Sequence, residues 1–135
     1  MPTETAIPAV RTTVRLESPY PQGEGLQWLK GNLHVHTTRS DVENAPQEVI
    51  QRYADLGYDF LMLSDHDQPA DLAGLDPCGL VLLPGNEVSS GGPHLLDVGA
   101  RFTATERDDR QAVIDDINRN GGFAVLCHPN WQADY

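Results

Sequence analysis

The chain has 135 residues, 39% of them hydrophobic and 21% charged, which is the composition of one folded domain rather than of a disordered or fibrous protein. Nine basic residues stand against 20 acidic ones, and the formal net charge of −11 repels phosphate backbones and anionic lipid, so extended nucleic acid and membrane surfaces are disfavoured as partners. Residues 1–5 carry no basic flank followed by an apolar run, and no apolar stretch is long enough to span a bilayer, so a cytoplasmic protein is expected.

Residues 1–30 are rich in Pro and Thr and read as an N-terminal arm or edge strand, with imperfect alternation over 9–16 and Pro19 and Pro21 ending it. Trp28 and Leu29 are expected to pack. Residues 31–135 then form the main domain. In its first stretch His34 and His36 stand one residue apart in a strand-like run, so they share one face at roughly 7 Å between Cα atoms while Leu33 and Val35 turn into packing. That spacing suits a grip on one ion, and equally a pair of half-buried strand histidines.

Pro46 and Glu48 mark a helix start, Val49, Ile50, Tyr53 and Ala54 recur at helical spacing, and Gly57 is placed to end the helix. A nearly continuous apolar run over 59–64 predicts a strand covered on both faces and closes on Asp65-His66-Asp67. A third buried strand over 80–83 runs into Pro84-Gly85-Asn86-Glu87, and a fourth covers 94–99. Thr105 can cap a helix from Glu106 to Asn120, with Val113, Ile114 and Ile117 as its apolar stripe and Asp108 and Asp109 facing solvent. Gly121 and Gly122 stop it, and a fifth strand over 123–127 delivers His128 and Pro129. Strand, connection and strand in this order predict an α/β fold with mostly parallel strands, whose sites gather at strand ends.

All five histidines, at 34, 36, 66, 94 and 128, border a predicted strand beside acidic or turn residues. With Asp41, Asp65 and Glu87 they form an imidazole and carboxylate set suited to zinc, manganese or iron. Cys78 and Cys127 lie far apart with no C-x-x-C pattern, so a disulfide framework or thiolate zinc site is unsupported and buried thiols are expected.

The motifs Leu-His-Val-His at 33–36 with Asp41, Ser-Asp-His at 64–66, Gly-Asn-Glu at 85–87, His-Leu-Leu at 94–96 and His-Pro at 128–129 occur in one order along the chain. In this ordered set the sequence resembles the polymerase and histidinol phosphatase (PHP) family of metallohydrolases. The resemblance implies a distorted (β/α)7 TIM-like barrel, here partial, and two or three divalent ions (Zn, Mn or Fe). It places His34, His36 and Glu87 on a first ion, Glu87, His94 and His128 on a second, and Asp41 with His66 on a third. The family closes its first and third sites with a late Asp-x-His motif, which this sequence lacks, so the resemblance implies the amino-terminal part of a longer barrel.

Several residues keep two readings. Asp41 is a ligand or an exposed loop carboxylate, and Asp65 and Asp67 either ligate or orient the His66 ring as acceptors. His94 is a ligand or a solvated loop histidine. Pro129 biases His128 toward an extended backbone, which favours a positioned ring. Glu87, His66 and Asp65 are the candidate catalytic groups. Arg39 and Asn130 are candidates for binding substrate, and Lys30 is a further cation near the site in sequence, although solvated surface charge is the default for such cations. Trp131 is more readily a packing residue than a stacking platform.

The expected function is hydrolysis of a small-molecule phosphoester, a phosphomonoester or nucleotide, through a metal-bridged hydroxide. The alternatives are a noncatalytic metal-binding or structural module, and hydrolysis of an amide or other nonphosphate substrate by the same bridged hydroxide. No feature of the sequence sets an oligomeric state.

Overall fold

The computed structural model describes Tyr20, residues 25–99 and residues 108–130. The expected strand over 9–16, the Thr105 cap with the first residues of its helix, and Trp131 lie outside the described residues. In chain order the elements are β1 (Gly31–Asn32), α1 (Pro46–Asp55), β2 (Phe60–Met62), β3 (Val81–Leu83), β4 (Gly85–Val88), β5 (Leu95–Val98), α2 (Arg110–Arg119) and β6 (Phe123–Leu126).

The first three strands form one parallel sheet in the order β1-β2-β3, with Asn32 opposite Leu61 and Leu61 opposite Leu82. α1 makes the crossover from β1 to β2, and its start follows from local chemistry. Pro46 lies in the first turn, where its missing N–H costs nothing, and the Glu48 carboxylate reaches back to accept from the Ala45 N–H at 3.0 Å. Gly57, at φ 70°, takes the left-handed turn that ends the helix. The apolar face of α1 buries Val49 and Ile50 against Val35, Leu61, Leu63 and Leu80.

The other three strands depart from the mostly parallel expectation: β4-β5-β6 is an antiparallel sheet, with Glu87 opposite Leu96 and Leu96 opposite Val125. The change comes after Leu83, where the sequence predicts the end of a strand with Glu87 beyond it, and a further strand, β4, begins instead at Gly85. Pro84 has no N–H to give to a ladder, and the chain leaves the first sheet there. Gly85 then passes so close to Met62 of the first sheet and to its own neighbour β5 that a Cβ would collide with the Met62 sulfur and the Asp97 carbonyl. α2 covers one face of the second sheet, burying Val113 and Ile117 against Val88 and Leu95. Its N-cap is Asp109, whose carboxylate accepts from the Gln111 and Ala112 N–H groups at 2.9 and 3.3 Å, so this exposed residue caps the helix rather than merely facing solvent.

Between the two sheets lies a third apolar cluster of Met62, Leu96, Val98 and Cys127. The sheets are also stitched by backbone. Beyond β2 the chain runs parallel to β4 in a single bridge, His66 opposite Glu87, with the Glu87 N–H donating to the Asp65 carbonyl at 3.3 Å and the Asp67 N–H to the Glu87 carbonyl at 2.8 Å. Trp28, expected to pack, is 81% exposed and meets the Tyr20 ring edge-on at 5.8 Å between centroids; Leu29 is exposed as well. No helix among the described residues is long and apolar enough to cross a membrane.

Candidate metal centre

β1 ends at Asn32, so His34 and His36 ride on a segment past the strand rather than within it. Alternation nonetheless persists there, because Ser64 substitutes for a ladder: the Val35 N–H donates to Ser64 Oγ at 2.9 Å and the Ser64 N–H donates to the Val35 carbonyl at 2.7 Å. Val35 and Thr37 are thereby buried, and the His34 and His36 rings turn the other way, 5.1 Å apart between centroids. His66 follows β2, Glu87 lies in β4, His94 precedes β5, and His128 follows β6.

These elements converge on one carboxylate. Glu87 is fully buried, and all five imidazoles of the chain face it. Its Oε1 lies 3.3 Å from His34 Nε2, 3.1 Å from His94 Nδ1 and 3.0 Å from His128 Nε2. Its Oε2 lies 3.3 Å from His36 Nε2 and 3.1 Å from His66 Nδ1, without an aligned hydrogen bond to either. Asp41, more than half exposed, closes the Oε2 side at 3.5 Å from His36 Nδ1 and 3.6 Å from His66 Nε2. Burial alone pushes the Glu87 carboxyl up, but the His36 contact, the charges of His34 and His66 and the His128 hydrogen bond outweigh it and hold the group well below the usual carboxylate range. Contact with Glu87 raises His36, against the cost of its burial, whereas burial lowers His34 against the attraction of the same carboxylate.

The expected extended backbone at His128 is not observed. Its φ is 21°, in the left-handed region, and the chain turns sharply there after the Cys127 N–H bonds the His94 carbonyl at 3.1 Å. The ring reaches Glu87 through this turn rather than by leaving a straight strand.

Asp65 and Asp67 are engaged with the loops around the rings. Asp65 is fully buried; its Oδ1 accepts from the Thr37 N–H and Ser40 Oγ, each at 2.7 Å, and its Oδ2 accepts from Thr37 Oγ1 at 2.7 Å. Asp67 accepts from the N–H groups of Ser89 and Ser90 and from the Ser90 hydroxyl. The orienting contacts on the rings come from hydroxyls that the sequence does not single out: Ser40 Oγ is 3.3 Å from His36 Nδ1, and Ser89 Oγ is bonded to His66 Nδ1. Arg39 is turned toward the 69–75 loop, donating to the Asp71 carbonyl at 2.7 Å. Lys30 belongs to the opposite strand ends, donating to the Leu56 carbonyl and lying 4.1 Å over the Tyr58 ring. Asn130 is exposed in the turn after His128.

The donor set fits divalent ions. Three groups offer ligand atoms that all lie within 4.8 Å of one another: His34, Glu87, Cys127 and His128; His36, Asp41 and His66; and His66, Glu87 and His94. Among the described residues every titratable nitrogen paired with Glu87 is an imidazole. Five rings aimed at one buried carboxylate form a set of imidazole and carboxylate donors that could hold a metal ion. Cys127, expected from the sequence only as a buried thiol, is the member that pattern and spacing miss. Its one signal is its place directly before His128 at a strand end.

No family model and no curated protein matches this sequence. Among solved structures, 89% of the chain aligns with TM-score 0.67 and 21% identity to a two-domain protein from Bacteroides vulgatus containing a predicted PHP-like metal-dependent phosphoesterase, and it spans 40% of that chain. The fold, mixed α/β with one parallel and one antiparallel sheet, is thus one the chain shares with a PHP-like protein, in agreement with the resemblance carried by its ordered motifs.

Proposed function

We propose that this chain carries the metal centre of a PHP-type hydrolase that cleaves a small phosphomonoester or nucleotide. The observation that carries the reading is the fivefold convergence of imidazole nitrogens on Glu87 at 3.0–3.3 Å. His34, His36, Asp41, His66, Glu87, His94 and His128 would hold two or three divalent ions. The division of rings between the carboxylate oxygens favours Glu87 as a bridge, with His34, His94 and His128 on one side and His36, His66 and Asp41 on the other. Zinc, manganese or iron in such a site supplies Lewis-acid activation of water and neutralises charge on a phosphoryl group.

The chain's own residues prepare the site. The Ser40 hydroxyl accepts from His36 Nδ1–H and donates to Asp65, which leaves His36 Nε2 with its lone pair toward the cluster. Asp65 is in this reading a positioning residue, since three donors from the 37–40 loop occupy it. Burial of Glu87 and half-burial of the rings keep the carboxylate away from bulk water, which strengthens its hold on a cation. The net charge of −11 accords with a small substrate rather than a polyanion, and substrate phosphate would meet positive charge chiefly through the ions. A PHP-type barrel completed by residues that furnish a late Asp-x-His motif is part of the same proposal.

The test is metal content by mass spectrometry after dialysis, together with hydrolysis of an aryl phosphate in manganese or zinc. Bound metal with turnover that His34→Ala abolishes is the expected result. Equal rates in variant and wild type would remove the catalytic assignment, metal retained without turnover of any ester or amide would leave a noncatalytic binding module, and turnover of amides alone would shift the substrate class.

A further inference from the structure

Cys127 is the one metal-ligating side chain in the cluster that the PHP resemblance leaves without a role. It is 5% exposed at the edge of the inter-sheet core, with Sγ 3.7 Å from the Val125 carbonyl and engaged as well by the Glu87 carboxylate and the Leu96 backbone. That sulfur and ligand atoms of His34, Glu87 and His128 all lie within 4.8 Å of one another. Consecutive residues of an extended strand point to opposite faces, so Cys127 and His128 would not ordinarily meet the same carboxylate. The turn at His128, with φ 21°, lets its ring reach the carboxylate that the Cys127 sulfur also neighbours. A second pointer is Oε1 of the fully buried Glu87, on the same side, around which nitrogens of His34, His94 and His128 gather at 3.3, 3.1 and 3.0 Å.

We propose that Cys127 is a thiolate ligand, so that the Oε1 side of Glu87 is a mixed sulfur, nitrogen and oxygen site. This rests on the metal-centre reading above and deepens it by making the two sides chemically unequal. His34, Glu87, Cys127 and His128 would favour a thiophilic ion such as zinc or cobalt, while His36, Asp41 and His66, with no sulfur, would accept the harder manganese. On loading, the S–H bond gives its proton to solvent and the sulfur lone pair goes to the metal; no electron is transferred.

The experiment is titration of cobalt(II) into the chelator-stripped full chain, read by absorption spectroscopy, for wild type, Cys127→Ser and Cys78→Ser. Wild type and Cys78→Ser are expected to show both visible ligand-field bands and a near-ultraviolet sulfur-to-cobalt charge-transfer band. Cys127→Ser is expected to keep the first and lose the second, with zinc affinity reduced by about tenfold or more and manganese affinity little changed. Ligand-field bands in wild type without the charge-transfer band would overturn the thiolate while leaving the metal centre standing; absence of both would remove the centre itself. A charge-transfer band that survives in Cys127→Ser and vanishes in Cys78→Ser would overturn the assignment too. X-ray absorption of the zinc-loaded wild type needs no variant to fold: a sulfur scatterer at about 2.3 Å is expected, and only nitrogen and oxygen scatterers would refute the proposal.

Discussion

The two sheets deliver their share of the cluster by different means. Glu87 lies within β4, and His94 and His128 adjoin β5 and β6, so backbone ladders of an antiparallel sheet set their positions. His34, His36 and His66 lie past the ends of short parallel strands, where beyond the single His66 bridge to Glu87 side-chain hydrogen bonds from Ser64, Asp65, Ser40 and Ser89 take over. One half of the site is therefore held by periodic structure and the other mainly by hydroxyls and one buried carboxylate. Substitutions of polar residues should discriminate between the halves, whereas loss of the shared carboxylate should abolish both.

The largest effect is expected at that shared point. Glu87→Gln removes the charge that both sides use, and metal retained after dialysis should fall to background by mass spectrometry; retention at the wild-type level would break the picture of one carboxylate serving two sheets. Next come the cores behind each half. Ile50→Ala on α1 and Ile117→Ala on α2 each empty a fully buried position and should cost about 2–5 kcal/mol in denaturant unfolding. A much smaller cost at one of them would identify the half that packs less tightly.

Asp65→Ala sharpens the comparison most directly. It strips three hydrogen bonds from the 37–40 loop, with an expected cost of about 1–3 kcal/mol and a loss of about 10–100-fold in metal affinity, measured by calorimetric titration. If the affinity is unchanged, His36 does not depend on that loop. A subtler readout is pH in the presence of chelator. The Glu87 carboxyl is held below its ordinary value of 4.5, so its contribution to stability is complete above that pH and is withdrawn as pH falls toward the lower folded-state value. The stability difference between wild type and Glu87→Gln should thus narrow on acidification below 4.5, and a gap independent of pH would show that the surrounding imidazoles do not hold the carboxylate in its charged form. The smallest effect is expected from Asp109→Ala, which removes only the α2 cap and should lower stability by about 0.5–2 kcal/mol without altering metal affinity.

The half of the site that the sequence displays best is the set of rings. Five histidines and Glu87, each beside an apolar run, could be read as strand-end donors because strand periodicity and burial act on neighbouring residues. β4 was not legible as a strand, since Gly85-Asn86-Glu87-Val88 sets two polar residues behind Pro84 and reads as a turn beyond the apolar run of Leu80 to Leu83. Nor were Ser40 and Ser89: each bonds a group 23 or more residues away, and a hydroxyl at such separation leaves no periodic trace. Cys127 was hidden for a related reason. It reads as the last apolar residue of a strand, and only the turn at His128 puts the following ring on the same side as its sulfur.

The switch of sheets at Pro84 and Gly85 also fixes the reading frame of the centre. Because side chains of β4 alternate, dropping a single residue between Leu83 and Glu87 would rotate the carboxylate toward α2 and present an amide or a valine to the histidines instead. A short hinge of this kind tolerates exchange of its neighbours far better than any change in its length.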